Sequence, residues 1–270
     1  MNFLARGTIP FSEEYWKKID ETVVENVRKN LIGRQFLSLF GPLGAGNLSI
    51  NVDELSATEE IGDGVIKTTG REFVELPQIF EDFVIPWRDI ENSEATGSPL
   101  DLSRVITAAQ SIAQKEDSLI FFGNEFLKCK GILNASGTTK ISKGDWSKGE
   151  NAFSNIAAGI SSFTSKGIIG RYSLIVSPDL FVQFQRIQPS LGMMEVDRIS
   201  KMLNGHLFNA PILGKNKAVL ICSEPQYMDL AVGKDMETGY LETKGFNHCF
   251  RIMETAALRI KCKDAIIIFE

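Results

Sequence analysis

The sequence predicts an α+β fold, because helical and strand-like segments interrupt each other without a regular strand–helix–strand repeat. A stripe of apolar side chains with helical spacing occupies residues 12–38. Residues 48–74 instead alternate in short strand-like runs, and residues 218–269 are mostly apolar runs typical of strands. These observations favour the α+β class over a parallel βαβ architecture.

The composition is that of a globular protein with a core of its own. The 270 residues are 43% hydrophobic and 23% charged, which excludes the disordered and fibrous classes. The 29 basic and 34 acidic residues give a net charge of −5 at pH 7, so we expect no general attraction to nucleic acid or to an anionic membrane. The 18 Phe against 4 Tyr and 3 Trp favour buried packing over base- or sugar-stacking surfaces.

The cysteines and the hydropathy predict a cytoplasmic protein. The N-terminal ten residues lack the apolar run of a signal peptide, and no stretch approaches the roughly 20 apolar residues of a membrane span. The cysteines are far apart and form no C-x-x-C pair, so we expect free thiols and no metal site. They are Cys129, Cys222, Cys249 and Cys262.

The first predicted element is one long amphipathic helix over residues 12–38. Ser12 is the expected N-cap, and Glu13 and Glu14 place negative charge in the first turn. The apolar side chains recur at steps of three and four residues and form one stripe. The stripe consists of Trp16, Ile19, Val23, Val27 and Leu31.

Residues 41–46, Gly-Pro-Leu-Gly-Ala-Gly, end this helix and nearly match a phosphate-binding loop. Asn47 and Leu48 stand where that loop needs its lysine and its hydroxyl residue. The segment also follows a predicted helix rather than a strand. We therefore interpret it as a flexible hinge.

Residues 48–74 predict a long two-stranded arm. The polar tip includes Asp63–Gly64, a favoured pair for a two-residue hairpin turn. The arm carries few residues that suit a core, and an isolated hairpin is marginal in water. We therefore expect the arm to lie on a partner.

The remaining elements alternate between helix and strand. Residues 76–88 are predicted to be extended, and residues 187–194 to be a loop. The predicted helices span residues 102–116 with a continuation to 126, then from 145 or 147 to 167, 178–186 and 195–203. The predicted strands span residues 172–176, 218–222, 228–232, 249–260 and 265–269.

Motifs for catalysis are missing from the sequence. His206 and His248 belong to no H-E-x-x-H pattern, and no G-x-S-x-G elbow occurs. Carboxylate pairs such as Glu59–Glu60 lie in polar turns, where solvated charge is the ordinary role. We therefore expect no catalytic residues and no enzymatic activity.

A series of short motifs, in order along nearly the whole chain, resembles the encapsulin shell proteins, the linocin or bacteriocin-type family. The N-terminal motifs are residues 1–6, Trp16, Ile19–Asp20, Gly33–Arg34, Phe36 and Gly41–Pro42. The later motifs are residues 86–90, 116–117, 120–123, 131–133, 170–174, 232–235, 239–240 and 254–255. Each motif is short, and the ordered series is what makes the resemblance specific.

The resemblance implies the major-capsid fold of tailed phages, with a peripheral domain, an axial domain and an extended loop. On this pattern the N-terminal part holds a cargo-docking helix and the start of the peripheral domain, and the arm is the extended loop. The divisions are 1–47 for the N-terminal part, 48–74 for the extended loop, 75–131 for the peripheral domain, 132–223 for the axial domain, and 224–270 for the C-terminal strands of the peripheral domain.

The resemblance also implies a function. Members self-assemble into an icosahedral nanocompartment around a cargo enzyme, ferritin-like or a peroxidase, which links them to iron storage and oxidative stress. The cargo docks by a C-terminal targeting peptide, and small solutes enter through pores. The expected partners are therefore further copies of the chain and the cargo, with no nucleic acid and no membrane.

The resemblance assigns two sets of residues, and the sequence offers one further candidate. The expected cargo-peptide groove consists of Val24, Val27, Leu31, Arg34, Met236, Thr238 and Tyr240. The expected fivefold-pore loop consists of Ile187, Gln188, Pro189, Ser190, Leu191, Gly192, Met193 and Met194. Trp87 is a candidate for stacking a flavin, although a packing role is favoured for it and no cofactor is otherwise expected.

Two alternative functions stay open at this point. The same fold serves phage and prophage major capsid proteins, against which the acidic balance weighs mildly because a capsid must package DNA. A bacteriocin or protease is the second alternative, and it lacks a catalytic constellation.

Overall fold

The computed structural model describes residues 3–9, 11–188 and 192–270. The helices of this part are α1 Glu13–Asn30, α2 Gly33–Phe36, α3 Trp87–Thr96, α4 Ser103–Phe122, α5 Asn151–Ser165, α6 Pro178–Gln183 and α7 Glu195–Met202. The strands of the first half are β1 Leu39–Phe40, β2 Ser49–Gly62, β3 Val65–Glu75, β4 Gln78–Ile85, β5 Gly123–Asn124 and β6 Cys129–Lys130. Those of the second half are β7 Thr139–Ile141, β8 Tyr172–Val176, β9 Ile187–Gln188, β10 Met193–Met194, β11 Leu207–Asn209, β12 Ala218–Cys222, β13 Met228–Lys244, β14 Asn247–Ile260 and β15 Ile266–Phe269.

The N-terminal helix begins where the sequence predicts and ends earlier. The Ser12 hydroxyl accepts a hydrogen bond from the Tyr15 amide and caps α1. Leu31 leaves the helix in an extended conformation, and the Asp117 carboxylate accepts the amide hydrogens of Ile32 and Gly33. The prediction of one helix over residues 12–38 is therefore wrong, because a buried carboxylate from α4 captures the amides of the connecting turn.

One four-stranded sheet carries the first half of the core, in the order β1-β13-β14-β4. Residues 41–46 follow the short strand β1, and the amides of Leu43 and Gly44 donate to the carbonyls of Val232 and Gly233 at 3.0 and 2.8 Å. This segment is therefore bonded to the sheet and follows a strand, which contradicts the predicted flexible hinge after a helix. Gly41 has a φ of 139° and lies against the Val232 carbonyl, where no side chain fits.

The predicted arm is a two-stranded hairpin of β2 and β3. Asp63 and Gly64 form its turn with φ values of 51° and 76°, as expected for the two-residue turn that suits the twist of a hairpin. Many apolar side chains of the arm are exposed in the isolated chain. They include Leu55, Ile61, Val65, Ile66 and Phe73.

A second sheet of five strands, in the order β11-β8-β12-β15-β7, carries the rest of the core. Within this sheet, β15 lies between β12 and β7. It pairs antiparallel with β12, and all four of its residues are buried. The predicted division assigns residues 224–270 to the peripheral domain, and β15 departs from it because its hydrogen-bond partners belong to the segment 132–223. The four apolar residues of β15 find a fully buried sheet position only there.

Three local predictions are corrected. The helix α3 starts at Trp87, whereas residues up to 88 are predicted to be extended. The helix expected from Asp145 or Ser147 starts at Asn151 because the Asp145 carboxylate closes a turn by accepting from Ser147. The loop over residues 187–194 contains the short antiparallel pair of β9 and β10.

All four cysteines are free, and no helix of the described ranges is long and apolar enough to cross a membrane.

Candidate functional site

A groove of about 390 Å³ lies between the second half of α1 and the strand β13. Five of the seven predicted peptide-binding residues line it together: Val24, Val27, Leu31, Arg34 and Met236. Val24 is 42% exposed, whereas Val27 and Leu31 are 6% and 4% exposed and form the floor. The same apolar stripe that packs α1 on the core therefore also presents its edge to solvent.

Arg34 is anchored beneath this groove by three carboxylates. Its guanidinium contacts Glu116 at 2.7 Å, Glu254 at 2.6 Å and Asp235 at 2.7 Å. The Glu116 and Glu254 side chains are 1% and 0% exposed. Because charge-assisted hydrogen bonds occupy the guanidinium on several sides, the Arg34 side chain is fixed in place at the floor of the groove. The sequence pattern missed Glu116 and Glu254 in this role because they lie on different elements, α4 and β14.

The two buried glutamates, Glu116 and Glu254, lie against the same guanidinium. Burial and the neighbouring Glu116 carboxylate raise the pKa of Glu254 well above its ordinary value of 4.5. Glu254 Oε1 is buried and has no hydrogen-bond partner among the described residues. Asp235 differs, since the Arg34 guanidinium lowers its pKa although burial opposes this. The Arg34 guanidinium thus joins two buried carboxyl groups inside the protein to the more exposed Asp235 at the rim of the groove.

Thr238 and Tyr240, the other two predicted peptide-binding residues, lie outside the open groove. Residues 3–8, which we name the N-terminal strap, cover them. The Leu4 carbonyl accepts the Tyr240 amide hydrogen at 2.8 Å, and Arg6 Nε donates to the Thr238 carbonyl at 2.9 Å. Thr238 is only 1% exposed as a result. The structure therefore does not bring all seven predicted residues to one accessible surface.

The predicted pore segment presents an apolar, uncharged face in its described part. Ile187, Met193 and Met194 are 61%, 48% and 41% exposed, and Gln188 is buried with its side-chain amide donated to the Gly149 carbonyl at 2.8 Å. Pro189, Ser190 and Leu191 lie outside the described residues.

Charge next to the pore segment is turned inward. Glu195 follows β10 directly, its side chain is 0% exposed, and its carboxylate pairs with Arg186 at 2.7 Å. This pair leaves the exposed face of β9 and β10 without an acidic side chain from Glu195.

Trp87 opens α3 and is 40% exposed. Its backbone amide donates to Asn247 at 3.3 Å, and the Arg88 guanidinium lies 5.6 Å from the centre of its ring. One ring face is thus accompanied by a cation, and part of the indole is open to solvent.

The sheet pair and the hairpin arm define the class of protein. A crystal structure of the virus-like particle of Pyrococcus furiosus aligns with 95% of this chain and all of that chain, at a TM-score of 0.77 and 21% identity. The capsid of the Myoviridae phage XM1 aligns with 87% of this chain and 90% of its own, at a TM-score of 0.65 and 16% identity. The fold is therefore that of phage capsid proteins, as the resemblance implies.

The family follows from the sequence comparisons. A family model described as "encapsulating protein for peroxidase" matches residues 1–257. The type 1 encapsulin shell protein EncA of Myxococcus xanthus is 34% identical over 277 residues, which cover 100% of this chain and 96% of that protein. The diheme-cytochrome–encapsulin shell fusion protein of Kuenenia stuttgartiensis is 34% identical over 269 residues, covering 97% of this chain and 74% of that protein. The chain belongs to this family of encapsulin shell proteins, and the predicted fold class and family are confirmed.

Proposed function

We propose that this chain self-assembles into a closed icosahedral nanocompartment that encloses a cargo enzyme. The observation that supports assembly most directly is the hairpin arm, in which Ile61 and Phe73 are 77% and 74% exposed. Exposed apolar side chains on an otherwise solvated two-stranded arm favour a partner surface, and copies of the same chain supply it in a shell. The chain has no catalytic role in this proposal.

The cargo in this proposal is a ferritin-like protein or a peroxidase. The family description names a peroxidase. A relative from Pyrococcus furiosus, 23% identical over 257 residues that cover 95% of this chain and 68% of that protein, is a ferritin-like–encapsulin shell fusion protein. The chemistry would thus lie with the enclosed enzyme, inside the cytoplasm, while small solutes pass at the pore segment by size and wetting, since its described face is apolar. Stacking of a flavin on Trp87 stays a prediction.

Cargo docking is proposed at the groove between α1 and β13. Its floor is apolar and is closed below by the anchored Arg34, while Arg28, Gln35 and Asp235 form a polar rim. An extended peptide with apolar anchors fits such a surface, because apolar anchors in a pocket supply most of the affinity and a polar rim sets the register.

Assembly is tested with the purified native chain by size-exclusion chromatography and negative-stain electron microscopy. We expect closed particles of uniform size that carry no nuclease-protected DNA. A monomer or a small oligomer under native conditions contradicts the proposal, and particles filled with DNA would instead support a phage capsid.

Docking is tested by co-expressing the shell with a fluorescent protein that carries the C-terminal tail of the enzyme encoded beside the shell gene. Val24→Asp places a carboxylate in the apolar groove, and we expect at least about ten-fold fewer fluorescent molecules per shell because burying an unpaired charge is costly. Lys29→Asp, at an exposed position five residues on and therefore on a different face of the same helix, is the matched control and should load normally. Equal loading of Val24→Asp and native shells contradicts docking at this groove.

A further inference from the structure

Arg6 ties the N-terminal strap to two other elements of the molecule. The guanidinium pairs with both oxygens of the Asp20 carboxylate at 2.7 and 2.8 Å and lies 4.7 Å from the centre of the Trp16 ring. Its Nε donates to the Thr238 carbonyl. One side chain thus joins the strap to α1 and to β13 at once, and both of these elements form the walls of the groove.

The strap lies at the end of the groove, on the same two walls. On α1, Asp20 precedes Val24 by four residues, which is about 6 Å along a helix. On β13, Thr238 follows Met236 by two residues, about 7 Å along a strand. The strap therefore contacts the same two elements that form the groove, one helical turn and two strand residues beyond the residues that line it.

The surface under the strap is shaped to hold a peptide backbone. Gly239 has no side chain, and a Cβ there would lie 3.3 Å from the Leu4 carbonyl oxygen, so the strap approaches the strand closely. The Tyr240 amide donates to that same carbonyl. Thr238 Oγ1 is buried and has no hydrogen-bond partner among the described residues, which leaves one polar atom that a different occupant could satisfy.

We infer that the N-terminal strap is an intramolecular competitor that occupies the Thr238–Tyr240 end of the docking groove, and that a bound peptide extending past Met236 displaces it. The inference rests on the docking groove proposed above. The occupant in competition with the strap is an extended peptide, because the strap itself shows that this end accepts a backbone with its carbonyl directed at the Tyr240 amide. Asp20 is the anchor for a guanidinium or ammonium group of that peptide once Arg6 has left.

The competition predicts that weakening the strap strengthens docking. When a site is open in only a fraction of molecules, its apparent affinity falls by that fraction. Arg6→Ala removes the pairing with Asp20, the bond to the Thr238 carbonyl and the stacking on Trp16. We expect Arg6→Ala shells to reach half-maximal loading with the tailed fluorescent protein at about ten-fold lower expression of it. Arg6→Lys, which keeps the charge and loses the two-pronged geometry, should lie between the two.

Hydrogen exchange of intact shells supplies a second measurement that loading alone does not. In empty native shells, we expect the Tyr240 amide to be protected, and in Arg6→Ala shells to exchange faster. In native shells loaded with the tailed fluorescent protein, residues 3–8 should lose protection while the Tyr240 amide keeps it. Lys18→Ala breaks an exposed pair with Glu14 on the same helix and should change none of these values.

The outcomes separate the two proposals. If Val24→Asp abolishes loading while Arg6→Ala leaves loading unchanged and residues 3–8 stay protected in loaded shells, the strap is no competitor and the groove stands. If Val24→Asp shells load normally, the groove itself is wrong and the competition fails with it. Faster exchange at Tyr240 without any gain in loading also overturns the inference, because the opened end then contributes nothing to docking.

Discussion

The buried carboxylate of Asp117 stabilises the turn between α1 and α2. Its side chain is almost wholly enclosed and accepts the amide hydrogens of Ile32 and Gly33 at 3.0 and 2.8 Å. Burial raises its pKa from 3.8 to about 6, with the two amides opposing the shift. Burial disfavours the charged form of the Asp117 carboxylate. The carboxylate nevertheless satisfies two backbone donors of the turn, and the turn therefore depends on it.

This residue makes stability depend on pH in a defined direction. The pKa of Asp117 in the folded protein lies above its unfolded value, so the folded state binds more protons between pH 3.8 and about 6. The contribution of Asp117 to the free energy of unfolding is therefore fully present below about pH 3.8 and is lost as the pH rises through about 6. Asp117→Asn retains an acceptor oxygen and cannot ionise. Between about pH 4 and 7, we expect the free energy of unfolding of Asp117→Asn to rise relative to that of the native protein by up to about 3 kcal/mol.

The measurement is thermal or denaturant unfolding of both proteins across that pH range. Two curves that run parallel would show that Asp117 does not titrate there. Asp145 is a useful contrast, because its exposed carboxylate has a pKa lowered to about 2 by the Ser147 hydroxyl and amide. Its replacement should therefore leave the slope above pH 4 unchanged.

At the scale of the elements, the first helix and the hairpin arm show where tertiary contacts override the local sequence pattern and where they do not. The sequence predicts a helix as far as residue 38, yet α1 ends at Asn30 because Gly33 lies directly against Ile120 of α4 and the turn amides bond to Asp117. At the tip of the arm, the turn residues Asp63 and Gly64 form the hairpin that their types favour. Local signals thus hold where no distant group offers the backbone a stronger partner.

The arm is also where assembly is tested at this scale. Phe73 is 74% exposed, so Phe73→Asp should leave the fold of the chain unchanged. If the arm lies on a neighbouring copy, the introduced charge is buried on assembly, and we expect the yield of closed particles to fall at least about ten-fold. Circular dichroism checks the fold and electron microscopy counts the particles.

Phe73→Leu is the matched control for this experiment, because it keeps an apolar side chain at the same place and should assemble. Phe73→Asp chains that close into normal particles would remove the arm from the assembly contacts.

At the scale of the whole molecule, long-range partners join the two sheets and the groove. Arg34 brings together Glu116, Asp235 and Glu254, which are separated from it by 82 to 220 positions in the sequence. The strand β15 returns to pair with β12, so residues 266–269 contribute a strand to the five-stranded sheet. The N-terminal strap likewise meets β13 across more than two hundred residues.

Much of the candidate site was predictable because it follows local periodicity and recognisable motifs. The apolar stripe of α1 contains Val27 and Leu31. Val24 and the facing Met236 were assigned to the groove by the resemblance to the family. Thr238 and Tyr240 were assigned to the same groove by the resemblance to the family. Their coverage by the strap was not predictable, since nothing in residues 3–8 indicates that Arg6 pairs with Asp20.

The amino-acid pattern was sufficient for the α+β class, the cap at Ser12, the hairpin turn at Asp63–Gly64 and the family, because each depends on neighbouring residues or on an ordered set of motifs. The end of α1, the membership of β15 in the five-stranded sheet, the carboxylate cage around Arg34 and the strap over Thr238 emerged only from the folded chain. These features depend on which distant donors and acceptors meet inside the protein. An unsatisfied buried polar group costs more than a local propensity gains, so those distant partners override the local pattern.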